Sequence, residues 1–268
     1  MAYSTGKSAL VTGAGSGIGR ALALQLNREG CALYLGDVDD AGLAETVALL
    51  QRPEVPATTA RVDVSDHAAM TAWAEAVGSA TGHLDIVVNN AGVGLVGNAR
   101  DNSLSDIEWL MGINFWGVVY GTRAFLPLLE AAPRGHLVNV SSVFGLIGVP
   151  TQSAYNAAKF AVRGYTEALR QELADSSVHV MCVHPGGIST NIALRSRSSD
   201  RNASASERDE RFRAMARTSP EKAAATIIRG IERRKARLLI GLDAAYISLV
   251  SRLFPVHYPR LFPDWEKD

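Results

Sequence analysis

The sequence predicts an α/β protein of the doubly wound type, with a parallel sheet between two layers of helices, in a single domain over residues 1–268. Short, unbroken apolar runs alternate with helical patterns along the chain, which is typical of parallel strands covered on both faces. Right-handed crossovers between such strands place helices on both sides of the sheet. Glycines and polar side chains follow several of the strands, as at a ligand-binding edge.

The bulk composition argues against several classes of protein. Lysine plus arginine equals aspartate plus glutamate at 27 each, so no excess charge favours nucleic acid or an anionic membrane. The six histidines have no ligand spacing, and we predict no metal site. Cys31 and Cys182 lie in apolar runs without a CxxC pattern, which favours reduced core residues in a cytoplasmic protein. No apolar run reaches the roughly 20 residues of a spanning helix, so we expect no integral membrane segment.

A glycine-rich turn follows the first predicted strand, residues 7–12, and leads into a helix with an apolar face. The turn consists of Gly13, Ala14, Gly15, Ser16, Gly17, Ile18 and Gly19. This arrangement predicts a phosphate cradle, because glycines let the backbone approach a pyrophosphate whose charge the helix N-terminus favours. The spacing fits neither GxGxxG nor a Walker A loop, and a plain tight turn is the alternative.

The second predicted strand, residues 31–35, ends at Gly36 and Asp37. An acidic side chain about twenty residues beyond the glycines can accept both hydroxyls of an adenosine ribose. The same carboxylate would repel a 2′-phosphate, and Ser16 adds no positive charge to the turn. Both features favour NAD over NADP, with a turn or cap role for Asp37 as the alternative.

The third and fourth predicted strands also end in candidate ligand-binding residues. Residues 57–62 lead to Asp63 and Val64, which we expect to border an adenine. Residues 84–88 lead to the polar turn Asn89-Asn90-Ala91-Gly92. Because the carboxyl ends of parallel strands meet at one edge, we expect these turns beside the glycine turn.

Two further strands, residues 137–140 and 178–183, deliver Ser142 and the run from His184 to Thr190. Other helices are predicted at residues 40–50, 66–80, 103–131 and 220–233, and a last strand at 237–240. Asn114 lies in an otherwise apolar part of the third of these helices, where a buried amide needs partners. A functional role and a capping or core hydrogen bond are equally open for this residue.

A long helix is predicted to begin at a cap, Thr151 or Ser153, and it carries Tyr155 and Lys159. Residues i and i+4 share a helix face, so we expect the Lys159 ammonium to lower the pKa of the Tyr155 phenol from about 10 toward neutrality. Such a phenol is a usable acid–base group, although a Tyr–Lys pair alone is usually surface decoration. Ser142, thirteen residues before Tyr155, is expected to reach the same point.

The end of the chain holds two segments of different character. A polar segment over residues 195–211 predicts a substrate-binding lid loop at about residues 190–218, with a solvated loop as the alternative. The C-terminal tail, residues 242–268, has apolar side chains on one helical face. These are Leu242, Tyr246, Leu249, Val250 and Leu253. We expect this face to pack on the protein's own sheet or on a partner subunit rather than on a membrane.

Several of these motifs occur together in a fixed order and spacing over roughly residues 7–190. They are Thr12 with the glycine turn to Gly19, Asn89-Asn90-Ala91-Gly92, Asn114, Ser142, Tyr155 with Lys159, and Pro185-Gly186 with Thr190. The set resembles the short-chain dehydrogenase/reductase family. The resemblance implies a Rossmann-type sheet of seven parallel strands, assembled as a homodimer or homotetramer through the two long helices.

The resemblance also implies roles for the matched residues. Tyr155 would be the general acid–base, and Lys159 would depress its pKa while bonding the nicotinamide ribose. Ser142 would hold the substrate oxygen, and Asn114 would anchor a water that relays protons to Lys159. The expected cofactor-binding residues are Gly13, Gly15, Ser16, Gly17, Ile18, Gly19, Asp37, Asp63, Val64, Asn90, Ala91, Gly92, Tyr155, Lys159, Pro185, Gly186, Ile188 and Thr190. The last two would bind the nicotinamide carboxamide.

We therefore expect an NAD-dependent oxidoreductase that interconverts a fairly apolar secondary alcohol and its ketone by hydride transfer. The apolar substrate is inferred from side chains predicted near the site, namely Val93, Leu95, Val96, Phe144, Leu146, Ile147 and Val149. The alternatives are an NADPH-dependent carbonyl reductase of the same fold and a catalytically silent dinucleotide sensor or scaffold.

Overall fold

The computed structural model describes residues 2–199, 204, 206–207, 210, 216 and 218–262, and its centre is a seven-stranded sheet. The strands of the chain are β1 (Ser8–Thr12), β2 (Ala32–Asp37), β3 (Ala57–Arg61), β4 (Ile86–Asn89), β5 (Leu95–Val96), β6 (His136–Val140), β7 (His179–Pro185), β8 (Arg197–Ser198) and β9 (Arg237–Ile240). The sheet has the order β3-β2-β1-β4-β6-β7-β9, and all of its pairings are parallel. The strands step outward from β1 in both directions, which confirms the doubly wound fold.

Helices cover both faces of the sheet. They are α1 (Gly17–Arg28), α2 (Asp40–Ala48), α3 (His67–Thr81), α4 (Leu104–Met111), α5 (Gly117–Glu130), α6 (Ser153–Glu172), α7 (Pro220–Glu232) and α8 (Leu242–Leu253). One apolar core lies between the sheet and α1, α2 and α7, and a second lies between the sheet and α3, α5 and α6. Every residue of β1, β4 and β6 is buried, because both faces of these strands are covered.

The long helical region predicted at residues 103–131 is divided in the structure. A π-helical turn, Gly112–Trp116, separates α4 from α5 and contains Asn114. Such turns shift the following residues around the helix axis and occur frequently at functional sites. The local sequence gives no signal for this change, because the apolar periodicity continues through it.

The segment that follows β7 is described in part. Residues 190–199 are described, and β8 within them pairs with β5 in a separate two-stranded sheet. The rest of the predicted lid, at residues 200–203, 205, 208–209, 211–215 and 217, lies outside the described residues. Arg197 in β8 donates to Asp106 at 2.8 Å and lies 3.8 Å above the Trp109 ring.

The C-terminal tail forms the predicted helix, but packing of its apolar face on the protein's own sheet is wrong for four of the five side chains, and packing on a partner subunit stays a prediction. Leu242, Tyr246, Leu249 and Leu253 are 91%, 55%, 58% and 63% exposed. The helix α8 instead buries Ala244, Ile247, Ser248 and Val250, because its other side faces β9 and the segment after β6. Residues 263–268 of the tail lie outside the described residues. Within the described part of the chain, no helix combines the length and apolarity that crossing a bilayer requires.

Candidate active site

The glycine turn after β1 has the shape of a phosphate cradle. Gly13 has a φ of 68°, and a Cβ at this position would lie 2.8 Å from the Cα atom of Ala91. A Cβ on Gly19 would collide with the carbonyl oxygen of Gly13. Ser16, at the N-cap of α1, makes no side-chain hydrogen bond to the first turn. The start of α1 therefore keeps backbone N–H groups for an anion, and the turn fits a pyrophosphate.

Asp37 closes the next strand beside this turn. One of its carboxylate oxygens accepts from the backbone N–H of Gly15 at 2.8 Å, and the other from that of Asp39 at 3.1 Å. The cap of α2 is Asp39, which accepts from Gly42 and pairs with Arg195 at 2.9 Å. The N–H of Gly42 first, and then Arg195, hold the pKa of Asp39 below its ordinary value. The cap role thus belongs to Asp39, and Asp37 is fixed against the glycine turn.

Thr12 joins the ends of β1 and β4, and it is a residue that motif reasoning did not assign to the site. Its hydroxyl accepts from the backbone N–H groups of Asn90 and Ala91, each at 3.0 Å. The Asn90 amide donates in turn to the Thr12 carbonyl at 2.9 Å. A hydroxyl residue immediately before the glycine turn was the available signal. These bonds fix the polar turn predicted after β4 directly beside the phosphate cradle.

Asp63 and Val64 follow β3 at the same edge of the sheet. The Asp63 carboxylate accepts from the backbone N–H and the hydroxyl of Ser65, at 2.9 and 2.7 Å. Val64 is buried, and the lack of a side chain at Gly117 gives it room against α5. Their contact with an adenine stays a prediction.

Ser142, Tyr155 and Lys159 meet beyond the end of β6. The Ser142 hydroxyl lies close enough to the Tyr155 phenol to lower its pKa, and it accepts from the backbone N–H of Phe144 at 3.1 Å. Lys159 lies one helical turn further along α6, with its Nζ atom 5.7 Å from the centre of the Tyr155 ring. This ammonium is buried and donates to the Val140 carbonyl at 3.1 Å. The structure therefore brings together the three residues that the sequence placed at one point.

The predicted depression of the Tyr155 pKa is wrong. Burial raises the pKa of this phenol to about 12, and the neighbouring Ser142 hydroxyl opposes the rise. Burial also lowers the pKa of Lys159 to about 8, because the charged form of an amine is poorly solvated there. The i, i+4 spacing correctly predicted that the two groups share a helix face, but desolvation depends on tertiary packing, which local spacing does not reveal.

Asn114 is fully buried and makes core hydrogen bonds, which was one of the two roles left open by the sequence. Its amide oxygen accepts from the N–H of Val93, and its amide nitrogen donates to the Val93 carbonyl, both at 2.8 Å. A Cβ on Gly92 would lie 3.3 Å from the Asn114 oxygen and 3.5 Å from the Lys159 Nζ atom. Gly92 therefore leaves a narrow space between Asn114 and Lys159. A proton-relaying water there stays a prediction.

Four cofactor-binding residues were predicted at and after the end of β7, and the structure places them in different surroundings. Ile188 is a core residue whose backbone pairs with Thr218, so only its main chain is available to a ligand. The Thr190 side chain reaches the glycine turn, where a Cβ on Gly17 would lie 3.2 Å from it. Pro185 ends β7, and a side chain on the following Gly186 would collide with Asp243.

Two positioning residues escaped the sequence analysis. Asp243 accepts from the backbone N–H of Gly187 at 2.7 Å and holds the loop after β7. Asn156 bonds the carbonyls of Phe144 and Ile147, each at 2.8 Å, and ties the segment after Ser142 to α6. No motif marks Asp243, because its partner is 56 residues away. Asn156 lies directly after Tyr155, where its position in the Tyr–Lys motif was the only signal.

Comparisons with known proteins agree with this architecture. The family model for short chain dehydrogenase matches residues 7–201. SadH of Mycobacterium tuberculosis, a protein assigned as an oxidoreductase, is 48% identical over 263 residues, which cover 97% of this chain and 95% of that protein. A short-chain dehydrogenase/reductase from Burkholderia phymatum, solved in complex with NAD, has a TM-score of 0.85 and 32% identity, covering 95% of this chain and 96% of the other. A short chain dehydrogenase from Mycobacterium paratuberculosis, solved bound to NAD, has a TM-score of 0.78 and 27% identity, covering 90% and 98%.

Proposed function

The chain belongs to the short-chain dehydrogenase family, and on that premise we propose that it is an NAD-dependent oxidoreductase for a fairly apolar secondary alcohol and its ketone. The observation that carries the proposal is the convergence of Ser142, Tyr155 and Lys159 at the strand edge that holds the glycine turn, with the Lys159 Nζ atom 5.7 Å from the centre of the Tyr155 ring. When bound, a nicotinamide dinucleotide supplies the hydride acceptor for the alcohol or the hydride donor for the ketone.

Tyr155 moves the proton at the substrate oxygen. With a pKa of about 12, its phenol is protonated at neutral pH and is ready to donate to the oxygen of a ketone. In alcohol oxidation the phenol oxygen of Tyr155 must first lose its proton, and the neighbouring Ser142 hydroxyl lowers its pKa and so favours the phenolate. Ser142 also offers its hydroxyl to the substrate oxygen. Lys159, with a pKa of about 8, is mostly cationic at pH 7 and favours negative charge on the phenol oxygen.

The side chains around Asp37 favour NAD over NADP. Three nearby arginines already have acidic partners: Arg20 pairs with Glu45 at 2.7 Å and Arg195 with Asp39 at 2.9 Å. Arg61, opposite Asp37 in β3, pairs with Asp40 at 3.3 Å. The Asp37 carboxylate would meet a 2′-phosphate with like charge at close range. The NAD complexes of the Burkholderia phymatum and Mycobacterium paratuberculosis proteins support the same choice.

The apolar side chains predicted near the site differ in burial. Leu95 and Ile147 are buried packing residues, and Leu146 is buried beside a separate cavity. Val93, Val96, Phe144 and Val149 are half-buried, and the Phe144 ring meets that of Tyr155 edge-on at 6.1 Å. These four side chains support a substrate with apolar groups beside its reacting carbon.

We also propose assembly as a homodimer or homotetramer through the long helices. Trp116, just before α5, and Phe160 on α6 are 46% and 41% exposed, although both are large aromatic side chains. Exposed aromatic groups of this kind are enriched in interfaces between subunits.

The direct test is a measurement of initial rates for a panel of secondary alcohols, sterols and sugar alcohols with each dinucleotide. We expect a higher kcat/KM with NAD than with NADP, and higher values for apolar alcohols than for sugar alcohols. A strong preference for NADP would overturn the interpretation of Asp37 and favour the carbonyl reductase. Dinucleotide binding without turnover of any alcohol or ketone would instead favour a silent sensor or scaffold.

A further inference from the structure

A polar cavity lies between α6, β9 and α8. None of its lining residues is among the predicted catalytic or dinucleotide-binding residues. Its volume is about 360 Å³, and it is lined by Leu146, Arg163, Arg237, Ser251 and Arg252. Three of these five residues are arginines that come from three different elements. A cavity of this size holds a small ligand, and the charge of its lining determines which one.

The positive charge of this cavity is only partly compensated. Arg163 donates to Glu167 at 3.0 Å, whereas Arg237 donates to the neutral hydroxyl of Ser248 at 3.2 Å. Arg252 has no ion pair among the described residues. Within the described part of the chain, one carboxylate is therefore paired with the three guanidinium groups.

Arg237 shows the consequence of this imbalance most clearly. Its Nε atom is buried and has no hydrogen-bond partner within the described part of the chain. Burial first, and then the charge of Arg163, lower the pKa of its guanidinium, and Arg252 adds to the same effect. A buried donor without an acceptor costs free energy that an oxygen ligand would recover.

The strand alternation of β9 explains how an arginine comes to face this cavity. Leu238 and Ile240 point into the core beside α7, while Leu239 packs on the opposite face against the segment after β6. Arg237 shares the face of Leu239 because side chains two apart lie on the same side of a strand. This face lies under α8, whose Ser248 and Ser251 leave the cavity rim polar.

We propose that this cavity binds a small oxyanion of the phosphate class, such as inorganic phosphate or the phosphate group of a small metabolite. Guanidinium groups present paired N–H donors that match phosphate oxygens, and three of them around one cavity can neutralise a doubly charged anion. The site is separate from the glycine turn and rests on neither the dinucleotide nor the proposed reaction.

The test is to bind inorganic phosphate to the full chain at constant ionic strength, with sodium chloride as the reference salt. We expect phosphate to raise the thermal unfolding temperature in a saturable manner, with a Kd from isothermal titration calorimetry. Arg252→Gln is expected to weaken this binding about ten-fold, because it removes one charged hydrogen-bond partner of the phosphate. Because Arg252 is exposed and unpaired among the described residues, the variant should unfold in chloride at the wild-type temperature.

Two comparisons make the result decisive. Arg233→Gln removes the same charge from the exposed end of α7 and should bind phosphate like the wild type. Arg237→Gln should lose the response even if it lowers the unfolding temperature in chloride. Equal phosphate affinity in the wild type and Arg252→Gln would overturn the proposal and assign the anion to another site, such as the glycine turn. Equal stabilisation by chloride would overturn it as well, since that result indicates charge screening alone.

Discussion

The glycine turn after β1 and the loop after β7 both border the candidate active site, but they are held in place by different kinds of contact. Around the glycine turn, neighbouring strand ends are joined by hydrogen bonds that involve backbone groups, as between Thr12 and Asn90. After β7, the chain is held by charged side chains from distant elements. Arg195 pairs with Asp39, and Asp243 binds the backbone of the loop after β7.

This difference indicates how much change each region can tolerate. In the glycine turn a single added carbon meets backbone atoms, which cannot move aside without shifting a strand. In the second region the contacts are an exposed ion pair and an exposed hydrogen bond from a backbone N–H to a carboxylate, and each is worth about 1 kcal/mol. We therefore expect the dinucleotide side to be rigid and the substrate side to be adaptable. Substitutions in the two regions test that comparison.

The largest effect is expected at Gly19. Gly19→Ala places a Cβ against the Gly13 carbonyl, and we expect the free energy of unfolding to fall by about 1–3 kcal/mol and NAD binding to be lost. Denaturant unfolding and NAD titration measure the two effects. Gly164→Ala is the matched control, because a Cβ in that part of α6 meets nothing within 4 Å. Equal stability and NAD affinity in both variants would show that the turn is not rigid.

An intermediate effect is expected at Asp243. Asp243→Ala removes the acceptor for the Gly187 N–H, and we expect a loss of about 1 kcal/mol in the free energy of unfolding. Asp175→Ala removes an exposed carboxylate that has no side-chain hydrogen bond to any described residue, and it should change stability little. Denaturant unfolding of the two variants side by side is the measurement. If both lose the same amount, then Asp243 does not hold the loop.

The smallest effect is expected at Arg195 and depends on pH. Arg195→Gln should cost about 0.2–1 kcal/mol at pH 7, the range for an exposed ion pair. The Gly42 N–H and then Arg195 lower the Asp39 pKa below 3.8 in the folded protein, so this stabilisation is present above that pH and is lost as the pH falls through the folded pKa. Wild-type and variant unfolding curves should therefore converge in acid and in high salt. A constant difference across pH would contradict the ion-pair account.

The sequence predicted the parts of the molecule that depend on local patterns. The parallel sheet, the glycine turn and the placement of Tyr155 with Lys159 on one helix face follow from apolar runs, glycine spacing and helical geometry. These features need only residues that are close in the chain, or strand ends that must meet at one edge.

The remaining features depend on contacts between distant residues. Burial of the Tyr155 phenol, which reverses the expected direction of its pKa shift, follows from the packing of whole elements around it. The tail helix exposes Leu242 and Leu253 because β9 meets its other side, which periodicity alone does not reveal. Asp243 reaches the loop after β7 from 56 residues away, and no spacing rule connects them.

The central claim is that the Tyr155 phenol oxygen carries the proton of the reaction. Tyr155→Phe removes that one oxygen, and we predict that kcat/KM falls about 10²- to 10⁴-fold while the dinucleotide still binds, because the glycine turn and Asp37 are intact. Tyr246→Phe, the same change at an exposed position on α8, should leave both quantities unchanged. Full turnover in Tyr155→Phe, measured with a substrate that the wild type accepts, would contradict the account.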